Sequence, residues 1–116
     1  MIKGRILLID DEPMIREMLL ELLIEEGINA VAHQDAFSAF PLLSQNFDLV
    51  ICDVTLPKLS GIDFLKKIKV EGLHKGKTLL MTGNALSADM EQVADRVLYK
   101  PFQTSEIIRV VREMLS

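Results

Sequence analysis

Short apolar runs alternate with longer stretches of helical periodicity along the whole chain. The runs at 6–9 and 49–52 are uniformly apolar, which is typical of strands buried on both faces, whereas the weaker run at 29–33 is typical of an edge strand. The predicted strands cover residues 6–9, 29–33, 49–53, 77–81 and 97–99. Because helical stretches separate them, we expect parallel strands joined by right-handed crossovers, with helices on both faces. The pattern predicts an α/β fold, a doubly wound five-stranded parallel sheet with strand order 2-1-3-4-5.

The helical stretches begin and end at recognisable residues. They cover about residues 13–26, 36–44, 61–71, 85–93 and 104–114. The second stretch contains Pro41, which is harmless in the first turn if Ser38 caps the helix but interrupts the hydrogen bonds if Asp35 does. We therefore expect an irregular or late-starting helix there. Ser60 and Asp63 resemble a capping box, which predicts that the third helix begins near Ser60.

Composition and charge narrow the class of protein. The chain has 116 residues, 49% of them hydrophobic and 26% charged, which predicts one globular domain covering residues 1–116. Thirteen basic and 17 acidic side chains give a net charge of −4 without a basic cluster, so we expect no direct nucleic-acid binding. The single cysteine excludes an internal disulfide, and no apolar run is typical of a membrane span or a signal peptide. These features predict a soluble, cytoplasmic protein.

Polar side chains follow four of the five predicted strands at the point where each strand ends. Asp10 and Asp11 follow the first strand, Asp53 ends the third, Thr82 follows the fourth and Lys100 follows the fifth. Because the carboxyl ends of parallel strands lie at one edge of a sheet, we expect these residues to lie close together.

Three carboxylates at such short range repel one another unless one is protonated or a cation lies between them. Mg²⁺ is the natural candidate, since it prefers oxygen ligands and is usually held by one or two carboxylates, waters and phosphate oxygens. A lysine supplies a point positive charge, and a threonine hydroxyl can donate to an anionic oxygen. Phosphoryl transfer needs this combination because its catalysis is mostly positioning and charge neutralisation, and an aspartate can itself form an aspartyl phosphate.

Each of these features has a simpler structural explanation when it is taken alone. Acidic residues are common at helix starts, a Pro-containing loop after Asp53 is ordinary turn chemistry, and Lys100 before Pro101 is typical of an exposed loop. Their joint occurrence at four strand ends favours a functional site. Cys52 lies inside an apolar run and is expected in the core.

The combination resembles the receiver domains of two-component response regulators over essentially the whole chain. The matching motifs are Asp10-Asp11, Asp53 with its Leu-Pro-x-x-x-Gly loop at 56–61, Thr82, and Lys100-Pro101-Phe102. This resemblance implies the flavodoxin-like receiver fold. It also implies a cis peptide bond between Lys100 and Pro101, which proline makes accessible.

The resemblance implies a role for each site residue. Asp53 is the implied phosphoacceptor, which takes a phosphoryl group from a sensor histidine kinase or a phosphotransfer protein. The implied Mg²⁺ ligands are Asp10, Asp11, Asp53 and the backbone carbonyl of Thr55. Thr82 and Lys100 are implied to contact the phosphoryl oxygens. Such a domain is not a multiple-turnover enzyme: it catalyses only its own phosphorylation and dephosphorylation, and it acts as a phosphorylation-dependent switch for a partner protein.

The sequence departs from the family pattern near the last strand. Receiver domains usually carry an aromatic residue three positions before the lysine, where this chain has Val97, and Tyr99 lies closer to the site. The spacing from Thr82 to Lys100 is about one helical turn short, which predicts a shortened fourth helix. We therefore expect the phosphorylation chemistry to be kept and the switch mechanism to differ. No effector segment follows the last helix, so we expect output through a separate protein unless the chain is a fragment of a larger regulator.

Two other classes of protein place an acidic or phosphate-binding site at the same edge of such a sheet. A phosphatase of the haloacid dehalogenase type usually carries a second aspartate two residues after its nucleophile, where this chain has Thr55. A flavodoxin-like nucleotide binder needs a loop rich in Gly, Ser or Thr after the first strand, where this chain has Asp10-Asp11-Glu12. Both departures favour the receiver interpretation.

Overall fold

The computed structural model describes residues 4–116, and within them strands and helices alternate as predicted. The strands are β1 Arg5–Ile9, β2 Asn29–His33, β3 Leu49–Asp53, β4 Lys77–Thr82 and β5 Arg96–Tyr99. The helices are α1 Pro13–Glu25, α2 Ala36–Ala39, α3 Gly61–Val70, α4 Ala88–Glu91 and α5 Thr104–Leu115, and a 3₁₀ segment, Phe40–Gln45, follows α2. All neighbouring strands are parallel in the order β2-β1-β3-β4-β5, which confirms the predicted topology and places β2 at an edge.

The sheet is covered by helices on both faces. α1 and α5 pack on one face, and α2, α3 and the 3₁₀ segment pack on the other. Successive residues of β1 point to opposite faces. Ile6 and Leu8 belong to the core beneath α1 and α5, whereas Leu7 and Ile9 belong to the core beneath α2 and α3. All four side chains are fully buried. This two-sided burial explains why the central strands are uniformly apolar in sequence. None of the helices in the described residues is both long enough and apolar enough to cross a membrane.

The second helix is irregular, as predicted, and the structure decides between its two possible caps. Asp35 is the cap, since its Oδ1 accepts a hydrogen bond from the Ser38 backbone N–H at 2.7 Å. The α-helix ends at Ala39 and the chain tightens into the 3₁₀ segment, where Pro41 lies in the first turn and needs no intrahelical donor. The alternative in which Ser38 caps a late-starting helix is therefore wrong.

The fourth helix is even shorter than predicted. Its α-helical part covers only Ala88–Glu91 within the predicted range of 85–93. Ser87 caps it by accepting a hydrogen bond from the Met90 backbone N–H at 3.3 Å. The prediction of a shortened fourth helix is therefore confirmed. Between β4 and β5 the chain forms only four α-helical residues.

The loop between β3 and α3 folds back tightly onto the end of β3. Ser60 caps α3 by accepting the Asp63 backbone N–H at 3.2 Å, as predicted. The Gly61 backbone N–H donates to the Val54 carbonyl at 2.9 Å. A Cβ at Gly61 would lie 2.0 Å from the Asp53 carbonyl oxygen, so only glycine allows this close approach.

Replacing Gly61 with alanine is expected to lower the free energy of unfolding by about 1–3 kcal/mol, because the loop would have to move away from Asp53. Gly83→Ala is the matched control, since no atom of the described residues lies within 4 Å of a Cβ built there. Urea unfolding followed by circular dichroism measures both variants. If Gly61→Ala were as stable as the wild type, the loop would not depend on this approach.

Candidate functional site

The fold brings the three predicted carboxylates together. Asp10 directly follows β1, Asp53 is the last residue of the adjacent strand β3, and Asp11 is next to Asp10 in the chain. One oxygen from each carboxylate lies within 4.8 Å of the others. Asp10 is fully buried and Asp53 is 4% exposed, whereas Asp11 is exposed. We call Asp10, Asp11 and Asp53 the acidic cluster.

Lys100 reaches into the acidic cluster from the end of β5. Its Nζ lies 2.6 Å from Asp53 Oδ2 and 4.0 Å from Asp10 Oδ2. Partial burial lowers the pKa of Lys100, but the hydrogen bond and charge of Asp53 outweigh that effect and raise the pKa above its ordinary value. The peptide bond between Lys100 and Pro101 is cis, which confirms that expectation. Glu12 lies 3.9 Å from the same ammonium and is a neighbour that the sequence reasoning missed.

The Asp10 carboxylate is only half satisfied by hydrogen bonds. Its Oδ1 accepts the Glu12 backbone N–H at 2.9 Å, whereas its buried Oδ2 has no hydrogen-bond partner within residues 4–116. Burial raises the pKa of Asp10; the Glu12 N–H opposes this shift and the charge of Asp53 adds to it. A buried carboxylate oxygen without a donor is unfavourable, and beside two other carboxylates it has the chemistry of a ligand for a hard cation.

Both oxygens of Asp53 have a partner. Lys100 donates to Oδ2, and the Thr55 backbone N–H donates to Oδ1 at 3.2 Å. These contacts fix the direction of a carboxylate whose chain is already held in the sheet. Thr55 therefore lies at the site, while the role of its carbonyl as a metal ligand stays a prediction.

Thr82 lies at the end of β4 with its hydroxyl turned to its own loop. The side chain is 1% exposed. Its Oγ1 accepts the Asn84 backbone N–H at 3.0 Å and donates to the Asn84 carbonyl at 3.1 Å. The Lys100 backbone N–H donates to the Thr82 carbonyl at 2.7 Å, so the main chains of these two predicted site residues are joined directly. A contact between the Thr82 hydroxyl and a phosphoryl group stays a prediction.

The two residues that depart from the family pattern lie in different surroundings. Val97 is partly buried and packs against the core on the α3 side of the sheet. Tyr99 is 41% exposed and its hydroxyl donates to Glu91 at the end of α4, an interaction that raises the pKa of the phenol. Tyr99 therefore ties α4 to β5.

Arg16 is a second residue that the sequence reasoning missed. Its position on the polar side of the α1 pattern predicts a solvated side chain. Instead it is half-buried, and its Nη1 donates to the Asp10 carbonyl oxygen at 2.9 Å. Periodicity carries no signal for this contact, because periodicity assigns a helix face and not the direction of a long side chain.

Comparison with known proteins agrees with this geometry. A family model described as the response regulator receiver domain matches residues 6–112. The transcriptional regulatory protein CpxR of Escherichia coli K12 is 35% identical in an alignment 116 positions long, which covers 97% of this chain and 49% of the relative. The phosphate regulon transcriptional regulatory protein PhoB of the same organism is 32% identical in an alignment 117 positions long, which covers 96% of this chain and 51% of the relative. The chain thus spans about half the length of these relatives.

Solved structures match over nearly the whole chain. The response regulator TrrA of Thermotoga maritima, in complex with Mg²⁺-BeF, has a TM-score of 0.86 and 34% identity, covering 96% of this chain and 98% of that one. The receiver domain of a sensor histidine kinase from Pseudomonas aeruginosa PAO1, with magnesium in its active-site cleft, has a TM-score of 0.85 and 26% identity, covering 97% and 98%. The strand order, the acidic cluster and these matches lead to one conclusion: this chain belongs to the response regulator receiver domain family.

Proposed function

We propose that this chain accepts a phosphoryl group on Asp53 from a sensor histidine kinase or phosphotransfer protein and acts as a phosphorylation-dependent switch. The observation that carries the proposal is the convergence of Lys100 and the carboxylates of Asp10 and Asp11 on Asp53. Membership of the receiver family supports it.

The acidic cluster fits Mg²⁺. The buried Asp10 Oδ2 has no hydrogen-bond donor in the part of the chain that the structure describes, and oxygens of Asp11 and Asp53 lie within 4.8 Å of a ligand atom of Asp10. Asp10, Asp11, Asp53 and the Thr55 carbonyl are the proposed protein ligands. When bound, the cation neutralises the carboxylates and the oxygens of an incoming phosphoryl group. The Mg²⁺-BeF complex of TrrA supports this proposal.

The contacts of Asp53 suit it to act as the nucleophile. An Asp53 oxygen attacks phosphorus, the bond between phosphorus and the donor histidine nitrogen breaks, and an aspartyl phosphate forms as the histidine leaves with the electron pair. The Thr55 N–H and Lys100 hold the carboxylate in one orientation before the attack. The Lys100 ammonium can then turn from the carboxylate to the phosphoryl oxygens, where it stabilises the new negative charge.

Thr82 links the phosphoryl group to a conformational change in this proposal. To donate to a phosphoryl oxygen, its hydroxyl must leave the Asn84 carbonyl. The turn after β4 then loses a hydrogen bond that holds it in the unphosphorylated arrangement. Phosphorylation thereby favours a second conformation, which a partner can recognise.

The proposed unit of function is one receiver domain covering residues 1–116 in the cytoplasm. It takes up one phosphoryl group and releases it by its own hydrolysis, and it is not a multiple-turnover enzyme. Its output is contact with an unknown protein target, with no direct binding to nucleic acid or membrane. The named relatives are transcriptional regulators about twice as long as this chain.

Asp53→Asn is expected to abolish phosphorylation, because the amide is not a nucleophile of this kind. The purified protein is incubated with acetyl phosphate and Mg²⁺, and the adduct is located by mass spectrometry. Asp63→Asn is the control, since Asp63 is an exposed acidic residue in the first turn of α3. Labelling at another residue, or labelling that is unchanged by removal of Mg²⁺, would contradict the proposal. Sustained turnover of phosphate esters would favour the phosphatase alternative.

Asp10→Asn is expected to weaken Mg²⁺ binding and yet stabilise the metal-free fold. It removes a buried negative charge whose Oδ2 has no donor in residues 4–116, and an unsatisfied buried group costs about 1–3 kcal/mol. Asp11→Asn is the matched control: it also removes a proposed ligand, but its exposed carboxylate gives no such gain in stability. Urea unfolding with and without Mg²⁺ measures both effects. An Asp10→Asn variant that is less stable than the wild type without metal, or equally stabilised by Mg²⁺, would contradict this account.

A further inference from the structure

We propose that Arg16 is a positioning residue for the acidic cluster, whose guanidinium fixes the main chain at Asp10 and thereby strengthens Mg²⁺ binding. The inference rests on the proposed function, because it concerns the cation that the acidic cluster would hold. It adds a residue that lies outside the acidic cluster and does not touch the carboxylate oxygens.

The contact joins the first helix to the end of the first strand. Arg16 Nη1 donates to the Asp10 carbonyl oxygen at 2.9 Å, and the Arg16 backbone N–H donates to the Glu12 carbonyl at 2.9 Å. Side chains of a helix lean toward its N-terminus, so an arginine one turn into α1 can reach back over that turn. The side chain of this half-buried residue therefore spans the bend that carries Asp10 and Asp11.

Three hydrogen bonds together fix the orientation of Asp10. Its backbone N–H donates to the His33 carbonyl at 3.1 Å, which extends the sheet pairing by one residue. Its carbonyl accepts from Arg16, and its Oδ1 accepts the Glu12 N–H. Among the described residues, none makes a hydrogen bond to Oδ2, and that oxygen is buried. Arg16 thus orders the residue while leaving free the atom that would bind the cation.

The charge of Arg16 is placed differently from that of Lys100. Lys100 pairs with carboxylate oxygens of the acidic cluster, where it competes with a metal ion. Within residues 4–116, Arg16 has no carboxylate at ion-pair distance. Its guanidinium donates its hydrogen bond to a backbone carbonyl and not to a carboxylate. It therefore supports the cluster without occupying a ligand position.

The test is the Mg²⁺ dissociation constant of four proteins, measured by calorimetry in the same buffer: wild type, Arg16→Met, Arg16→Lys and Arg109→Met. Methionine keeps an unbranched apolar chain but removes both the donor and the charge, whereas lysine keeps a donor and the charge. Arg109 lies exposed on α5, where it pairs with Glu113, so its variant removes one positive charge away from the site. Far-UV circular dichroism checks that each variant is folded.

Arg16→Met is expected to weaken Mg²⁺ binding by about tenfold or more, as loss of a group that orients a metal ligand does. Arg16→Lys should recover part of the loss, and Arg109→Met should stay within about twofold of the wild type, since a distant surface charge is screened. Equal affinity of Arg16→Met and the wild type would overturn the inference. An equal loss in Arg109→Met, or no recovery in Arg16→Lys, would overturn it too, because net charge or packing would then explain the effect.

Amide hydrogen exchange in the metal-free protein gives a second readout that does not depend on Arg16→Met folding. In Arg16→Lys, the Glu12 amide, which is bonded to Asp10 Oδ1, should exchange faster while amides of β3 keep their wild-type rates. Unchanged exchange at Glu12 would count against positioning. A wild-type protein that binds no Mg²⁺ would instead refute the proposed function itself, whereas a wild type that binds Mg²⁺ as tightly as Arg16→Met would refute only the role of Arg16.

Discussion

The burial of like charges at one edge of the sheet is the constraint on which the site depends. Asp10 and Asp53 are buried together, so water screens their repulsion poorly. Lys100 offsets part of that repulsion at 2.6 Å from Asp53, and the backbone N–H groups of Glu12 and Thr55 each donate to one carboxylate. One oxygen of Asp10 has no hydrogen-bond donor among the residues that the structure describes. The described side chains and backbone groups therefore leave the acidic cluster only partly neutralised, which suits it to bind a cation.

The apolar strands supply the rigidity that holds these charges together. β1 and β3 pair in register with Ile9 opposite Cys52, so the next residues, Asp10 and Asp53, are neighbours by construction. A shift of one residue in this pairing would turn each side chain of a strand to the opposite face and so move it from one core to the other. Because both strands are buried on both faces, such a shift would be costly. The packing of apolar residues thus fixes the distance between two carboxylates.

Most of the fold and of the candidate site could be predicted from the sequence, because apolar runs and helical stretches alternate regularly along the chain. Apolar runs predicted the strands, and their alternation with helical stretches predicted the order of the strands in the sheet. The polar residues after the strands predicted which side chains meet at the edge of the sheet. The cap of the second helix could not be decided, since Asp35 and Ser38 are equally good caps and only packing selects the 3₁₀ continuation after Ala39. Contacts of long side chains could not be predicted from the sequence either. Arg16 turns back over the first turn of its own helix, and Glu12 lies near Lys100, which is far from it in the sequence.

The local hydrogen bonds around β5 bear on the departure from the family pattern, which is Val97 in place of an aromatic residue. Thr82 and Tyr99 are paired in register, so the residue that would sense a phosphoryl group lies beside the one tied to α4 through Glu91. Release of the Thr82 hydroxyl from Asn84 would loosen the segment that leads into α4, and Tyr99 joins the far end of α4 to the same strand pair. A helix of only four residues has little packing of its own to resist such a change. Under the proposed function, these contacts would connect the site to α4 and β5 without an inward-turning aromatic side chain at position 97.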